Sequence, residues 1–288
     1  MIRIEGGGGP NATTRQAQED TVLSPRFYTT DFDELDRTDV TPVRAEWDEL
    51  VAEMRSDPNK GHFHRSADWE SQLQEMNPEL RKEFIDFLGH AFGLMAGHSV
   101  DGSLHYICMD WRHMPELMAA GRKVYSDPRN LCVWVKSNAG MGSFYRSQHE
   151  LIFIFKHGAA QHRNNVELGK HGRNRTNVWQ YPGSSALNMS SDASLATTHP
   201  TVKPIQLVAD AIKDCTARGD IVLDPFVGSG TSLLAAERTG RCGYGIELDP
   251  RYVDLTIKRW ERVSKGSAVH AGSGMSFQQI ALQRGGPQ

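Results

Sequence analysis

The stretch with the clearest chemical pattern is a turn in the last third of the chain. It reads Asp-Pro-Phe-Val-Gly-Ser-Gly-Thr and runs from Asp224 to Thr231. Gly228 and Gly230 carry no Cβ, so the backbone there can bend sharply and come close to a ligand. The residue types and their spacing therefore predict a ligand-binding turn.

The segments around this turn predict the elements that position it. Residues 221–223 form a short apolar run, as expected of a strand buried on both faces, and a helical pattern begins at Thr231. Residues 241–247 are predicted to form the next strand, which ends in Glu247. The carboxylate of Glu247 is placed to accept hydrogen bonds from ribose hydroxyls. Together they predict one nucleotide-binding half of a doubly wound α/β sheet. The alternative is an ordinary strand–helix turn whose glycines serve packing.

The full string resembles the cofactor motif of the amino-methyltransferases that act on DNA. Those enzymes carry Asp-Pro-Phe-x-Gly-x-Gly-Thr in the first loop and Glu-x-Asp after the second strand. Their His-Pro-Thr-x-Lys-Pro string, here at residues 199–204, borders the methionine end of S-adenosyl-L-methionine (AdoMet). The resemblance implies AdoMet as cofactor, with a site formed by His199, Thr201, Lys203, Asp224, Phe226, Gly228, Gly230, Thr231, Glu247 and Asp249.

The preceding segment alternates apolar runs with helical patterns. Strands are expected at 104–109, 131–136 and 151–155, and a helix at 115–121. Such alternation favours a mostly parallel sheet covered by helices on both faces. Trp134-x-Lys136 and Tyr145-Arg146-Ser147-x-His149-Glu150 are similar to the same methyltransferases. The resemblance covers residues 84–288 and implies the α/β fold of AdoMet-dependent methyltransferases, a Rossmann-like doubly wound sheet.

A polar stretch from 156 to 175 is rich in basic and amide side chains and contains a single glutamate. Basic groups with interleaved amides suit contacts to phosphates and base edges, and the resembled family keeps DNA-contacting elements in this position. We therefore expect double-stranded DNA as a partner, with a solvated surface loop as the alternative. The DNA-binding candidates are Arg146, Lys156, Arg163, Lys170, Arg173 and Arg175.

One motif of the resembled family is absent. Enzymes of this kind hold the flipped target base with an Asp/Asn/Ser-Pro-Pro-aromatic loop, and this chain contains no Pro-Pro pair. The catalytic residues thus stay unassigned, and the fold is expected to be truncated at its N-terminal catalytic strand. The expected reaction is methyl transfer to adenine N6 or cytosine N4 in DNA, in impaired form. The alternative is an inactive remnant that binds AdoMet and DNA.

The segment before residue 88 resembles a different family, the aerobic magnesium-protoporphyrin IX monomethyl ester cyclases. The resemblance covers residues 21–65 and 80–88, and 25–36 is its specific part. It implies a di-iron site, which needs Glu-x-x-His pairs on helices. No Glu is followed three residues later by His anywhere in the chain, so we assign no metal site and treat cyclase activity as the weakest alternative.

The sequence thus predicts a chimeric chain whose two parts differ in net charge. Residues 1–88 hold 10 basic and 19 acidic residues, a net charge of −9, whereas 89–288 hold 22 and 16, a net charge of +6. The basic part suits a nucleic-acid partner. The expected segments are a disordered tail at 1–20, a cyclase-like helical segment at 21–88 and a methyltransferase-like domain at 89–288. Within that domain, 156–198 is the DNA-contacting insert and 199–265 the AdoMet-binding part.

Four scattered cysteines without a Cys-x-x-Cys pair favour neither a zinc site nor a disulfide framework, and they fit a reducing cytoplasm. The N-terminus has no apolar signal region, and no apolar run approaches the roughly 20 residues of a membrane span. We therefore expect a cytoplasmic protein without membrane contact. The oligomeric state stays open, a homodimer included.

Overall fold

A computed structural model describes residues 2–5, 26–27, 78–140, 144–183 and 202–284 of the protein. Most of the cyclase-like helical segment at 21–88 lies outside these residues. The chain divides into two compact units, residues 1–37 with 202–288 and residues 38–201. Within the described residues, no helix has the length and apolar character to cross a membrane.

The helices of the described residues are α1 Pro78–Gly97, α2 Met114–Val124, α3 Ile205–Cys215, α4 Thr231–Thr239, α5 Pro250–Ser264 and α6 Phe277–Gln283. The strands are β1 Ile2–Glu5, β2 Arg26–Phe27, β3 Leu104–Met109, β4 Asp127–Val135, β5 His149–Lys156, β6 Val178–Gln180, β7 Ile221–Asp224, β8 Cys242–Gly245 and β9 Val269–His270. The strands expected at 104–109, 131–136 and 151–155 and the helix at 115–121 are therefore confirmed, with small shifts of their ends.

The unit of residues 38–201 contains a four-stranded sheet in the order β3–β5–β4–β6. The apolar run of β5 is buried from Leu151 onward, which explains its central place. Helices α1 and α2 complete the core, where Phe92 and Leu117 join Phe155 of β5. Arg81 of α1 also lies 2.8 Å from the buried carboxylate of Glu116 at the start of α2.

The pairing in this sheet is mixed rather than mostly parallel. Strand β5 is antiparallel to both β3 and β4, and only β6 lies parallel to β4. A parallel neighbour requires a long crossover, usually a helix. Between β4 and β5 the described residues, 136–140 and 144–148, carry no helix, so the chain returns antiparallel. Helix α2 does connect β3 with β4, and these two strands run in the same direction on either side of β5.

The unit of residues 1–37 and 202–288 contains a five-stranded sheet in the order β7–β8–β1–β2–β9. Strands β7 and β8 are parallel, as predicted, because helix α4 makes the crossover between them. Leu233 and Leu234 of α4 pack with Ile257 and Trp260 of α5 in the core.

The N-terminus departs from the sequence-based expectation. Residues 2–5 were predicted to belong to a disordered tail, but they form β1, which pairs antiparallel with β8. The prediction of disorder is wrong for these four residues. Their alternation Ile-Arg-Ile-Glu has the period of two that a strand requires. The remaining predicted segment boundaries stay predictions.

Two helix glycines in the unit of residues 38–201 provide a matched test of packing. A Cβ at Gly121 of α2 would lie 2.7 Å from the ring of Phe155, whereas a Cβ at Gly93 of α1 would meet nothing within 4 Å. We expect Gly121→Ala to lower the free energy of unfolding by about 1–3 kcal/mol through overpacking. Gly93→Ala should raise it by roughly 0.5–1 kcal/mol, because alanine favours a helix interior. Urea unfolding of both variants checks this, and equal effects would contradict the packing assignment.

Candidate ligand site at the glycine-rich turn

The predicted turn lies directly after the carboxyl end of β7. The Asp224 carboxylate accepts a hydrogen bond from the Phe226 N–H at 2.9 Å, which closes the first bend. Gly228 and Gly230 then have φ angles of 54° and 82°, in the left-handed region that favours glycine. Gly230 immediately precedes helix α4. The turn thus delivers the chain from a strand into a helix, as expected.

Glu247 lies just beyond β8, and its carboxylate links the segments that follow β7 and β8 by hydrogen bonds. Its Oε2 accepts from the Gly228 N–H at 2.7 Å, and its Oε1 accepts from the Asp249 N–H at 2.9 Å. Burial raises the pKa of Glu247 above its ordinary value, although the backbone hydrogen bonds from Asp249 and Gly228 act in the opposite direction. The carboxylate is therefore fixed beside the turn.

The N-terminus of α4 presents further polar groups. The first N–H groups of a helix have no partner within the helix and carry partial positive charge. Ser232 lies in this first turn, and its buried Oγ has no hydrogen-bond partner among the described residues. The Thr231 hydroxyl donates to the Lys203 carbonyl oxygen at 3.4 Å. This end of the helix can accommodate an anionic or strongly accepting group.

Helix α5 also supports the turn through two buried side chains. The Thr256 hydroxyl donates to the Gly228 carbonyl oxygen at 3.1 Å, and the Arg259 guanidinium donates to the Ser229 carbonyl oxygen. Both side chains are buried. A Cβ at Gly230 would lie 2.5 Å from the Thr256 methyl group, so only glycine fits there.

Most of the predicted cofactor residues thus lie around one turn. Lys203, Asp224, Phe226, Gly228, Gly230, Thr231, Glu247 and Asp249 all belong to the same compact unit. His199 and Thr201 lie outside the described residues. Asp249 has a further role, since its carboxylate accepts from the Arg251 N–H at 2.9 Å and so caps α5. The sequence analysis did not identify Thr256 and Arg259, because both lie on α5, beyond the motif that carries the resemblance.

Two of the predicted DNA-binding side chains are used within the fold. Lys156 is buried, and its Nζ donates to the carbonyl oxygens of Gly158 at 2.5 Å and Ala160 at 3.0 Å. Arg146 donates to the carbonyl oxygens of Gly140 at 2.9 Å and Ala139 at 3.0 Å, although its side chain is exposed. Backbone acceptors thus enclose the Lys156 ammonium group, which argues against the predicted DNA contact at this residue.

The other four basic candidates lie between β5 and β6 in the same unit. Arg163, Lys170 and Arg173 are exposed. Glu167 forms ion pairs with Arg173 at 2.6 Å and with Lys170 at 3.8 Å. Arg175 is partly buried, with its guanidinium 4.6 Å from the ring centre of Trp179.

A further exposed feature was not assigned from the sequence. The side chains of Phe144 and Tyr145 are 84% and 81% exposed, and their ring centres lie 4.2 Å apart. The sequence feature that could have indicated this surface is the pair of adjacent aromatic residues beside Arg146 in a predicted loop. They give this loop between β4 and β5 an apolar, solvent-facing surface.

The raised pKa of Glu247 makes a prediction about stability. An acid whose pKa is higher in the folded than in the unfolded state contributes to the stability of the folded state. This stabilisation is fully present below the unfolded pKa, and it is lost as pH rises through the folded pKa. We therefore expect the stability of the wild type relative to Glu247→Gln to fall as pH rises from about 4 towards neutrality. Urea unfolding of both proteins across this pH range measures the difference. A difference that stays constant, or that grows with pH, would contradict the assignment.

Known proteins match different parts of the chain. An aerobic magnesium-protoporphyrin IX monomethyl ester [oxidative] cyclase of Rubrivivax gelatinosus is 46% identical over 83 residues, which is 27% of this chain and 23% of that protein. The type II methyltransferase M.ScaI of Streptomyces caespitosus is 39% identical over 90 residues, 31% of this chain and 29% of that protein. The chain therefore spans less than a third of the length of either relative.

A solved structure and a family model extend the match. The crystal structure of the M1.HpyAVI–SAM complex has a TM-score of 0.51 and 22% identity, and the likeness covers 64% of this chain and 84% of that one. It confirms the predicted methyltransferase type of α/β fold. The family model of the DNA methylases matches residues 66–258, well over half of the 288 residues, and begins before the predicted start near residue 84. The chain therefore belongs to the DNA methylase family of N6/N4 methyltransferases.

Proposed function

We propose that this chain binds AdoMet at the glycine-rich turn and transfers its methyl group to an exocyclic amine in double-stranded DNA. The acceptor is N6 of adenine or N4 of cytosine, and the sequence leaves the choice between them open. The observation that carries the proposal is the arrangement of Gly228, Gly230 and Glu247 at the carboxyl ends of two parallel strands. In open α/β sheets, ligands bind at this edge.

The residues at the turn fit the chemical groups of AdoMet. The Glu247 carboxylate is an acceptor suited to ribose hydroxyls, and it is already fixed by two backbone N–H groups. The N-terminus of α4 and the unpartnered Ser232 hydroxyl suit the carboxylate of the methionine end. Phe226, which is 48% exposed, offers an aromatic ring to the adenine. When bound, AdoMet would supply an electrophilic methyl group on its sulfonium sulfur.

DNA binding is supported by the exposed basic side chains of the segment between β5 and β6. Arg163, Lys170 and Arg173 form the proposed phosphate-contacting group, since their exposure permits them to reach a duplex backbone. Arg146 and Arg175 stay in the proposal as secondary members, because Arg146 donates to two backbone carbonyl oxygens and Arg175 is partly buried beside Trp179. Lys156 is left out for the reason given above.

A second candidate function is binding of AdoMet and DNA without methyl transfer. The observation that favours it is the absence of any Pro-Pro pair, and hence of the family's base-holding loop, from the sequence. Without an acceptor for the target amine, the nitrogen lone pair is not directed at the methyl group. The likeness to the cyclase covers 23% of that protein and carries no proposal of oxygenase activity.

The cofactor proposal is tested with two glycine variants of equal backbone strain. Gly230 and Gly219 both have a φ of 82°, but only at Gly230 would a Cβ clash, with Thr256, while at Gly219 it meets nothing within 4 Å. We expect Gly230→Ala to weaken AdoMet binding about tenfold, which corresponds to about 1.4 kcal/mol, because the clash with Thr256 displaces the turn and the groups it presents to the ligand. Gly219→Ala should bind like the wild type. Calorimetric titration of the three proteins with AdoMet measures the affinities.

The same three proteins decide between the two candidate functions. Radiolabelled AdoMet is mixed with unmethylated duplex DNA, which is then digested to nucleosides to identify the methylated base. Label that appears with the wild type and Gly219→Ala but not with Gly230→Ala supports methyl transfer. AdoMet binding without label supports the binding function alone, and no AdoMet binding by the wild type refutes both.

The DNA proposal predicts a change in salt dependence. Lys170→Gln should weaken duplex binding and lower the magnitude of the slope of log K against log salt by about 0.9, the contribution of one phosphate contact. The control is Lys82→Gln, which removes the same charge from an exposed position on α1 in the same compact unit. Fluorescence anisotropy with a labelled duplex at several salt concentrations measures both slopes. Equal slopes for the two variants would show that the effect is only one of net charge.

A further inference from the structure

We propose that Thr256 and Arg259 of helix α5 are positioning residues that hold the glycine-rich turn in its ligand-binding conformation. The inference rests on the function proposed above and assigns it two residues that lie outside the sequence motif. Neither side chain is expected to touch the cofactor. Their role is to fix the backbone of the turn, and with it the Ser229 N–H that faces the ligand site.

The two side chains act on successive peptide groups of the turn. Thr256 and Arg259 are three residues apart on α5, and therefore lie on one face of the helix. Their exposed fractions are 0% and 5%. Thr256 donates to the Gly228 carbonyl oxygen at 3.1 Å, and Arg259 donates to the Ser229 carbonyl oxygen. The helix thus binds two consecutive carbonyl groups from one side.

Fixing a carbonyl also fixes the N–H on the other side of the same peptide. A trans peptide is planar, and its C=O and N–H point in opposite directions. Because Thr256 draws the Gly228 carbonyl towards α5, the Ser229 N–H points away from α5. Among the described residues nothing accepts from this N–H, and Ser229 is 4% exposed. A buried donor without a partner is costly, so this group is suited to a ligand acceptor.

Steric contact reinforces the hydrogen bonds. The Thr256 side chain closely approaches the space above Gly230, since a Cβ there would lie 2.5 Å from its methyl group and 2.8 Å from its hydroxyl oxygen. Gly228 and Gly230 permit many backbone conformations. The α5 side chains restrict the turn to one of them, in which Gly228 also donates to Glu247. Such preorganisation increases affinity by reducing the entropy lost on binding.

The test uses isosteric and conservative variants of the full chain, titrated calorimetrically with AdoMet. Thr256→Val keeps the shape and removes the donor, whereas Thr256→Ser keeps the donor. We expect the AdoMet Kd to rise about tenfold for Thr256→Val and to stay within about threefold of the wild type for Thr256→Ser. Arg259→Met and Arg259→Lys form a second pair, with the same order expected. Urea unfolding midpoints of all variants are recorded alongside.

The outcomes separate this inference from the proposed function. If the wild type binds AdoMet and both members of a pair bind equally well, the positioning role is overturned while the proposed function stands. If affinities follow the unfolding midpoints rather than the presence of the donor, the two side chains serve stability alone and the inference is again overturned. If the wild type itself does not bind AdoMet, the proposed function fails first. Should Thr256→Val not fold, the Arg259 pair decides by the same criteria.

Discussion

The close approach of α5 to the glycine-rich turn is the constraint on which the proposed site depends. No side chain fits between Gly230 and Thr256, and the carbonyl groups of Gly228 and Ser229 are bound from the α5 side. The opposite side of the turn is left with the Ser229 N–H and the Glu247 carboxylate, since the Gly228 and Gly230 N–H groups donate to Glu247 and to the Val227 carbonyl oxygen. This asymmetry makes one side structural and the other available to a ligand. It follows from peptide planarity once the carbonyl directions are fixed.

Glu247 illustrates how a single group can serve both the apo fold and a ligand. Its two oxygens accept from Gly228 and Asp249, and thereby join the ends of β7 and β8. Carboxylate oxygens have more lone pairs than these two bonds use, so capacity for a hydroxyl donor remains. Burial raises the pKa of Glu247 and so makes its ionisation less favourable, and the backbone donors partly offset that effect. A group held in this way is fixed before any ligand arrives.

The basic stretch from 156 to 175 shows that a charged residue in a sequence predicts a binding site less reliably than a glycine in a turn. Lys156 and Arg173 look equivalent in the sequence, yet Lys156 is enclosed by carbonyl oxygens and Arg173 is exposed beside Glu167. A long side chain can bend back onto its own loop as easily as it extends into solvent. Only the backbone course of residues 157–160 decides which occurs. Phe144 and Tyr145 show the opposite effect. Aromatic residues are usually expected in a core, but these two side chains are largely exposed.

Local information sufficed for the central turn and for several of the helices and strands. Apolar runs predicted β3 and β5, a helical pattern predicted α2, and the string from Asp224 to Thr231 predicted the strand–turn–helix, because these patterns depend on neighbours along the chain. Tertiary structure alone decided the antiparallel place of β5, the pairing of β1 with β8, and the contacts of Thr256 and Arg259. Each of these depends on groups distant in sequence, which no local period encodes. Sequence thus determined which backbone could form a site, and packing decided which side chains hold it in place.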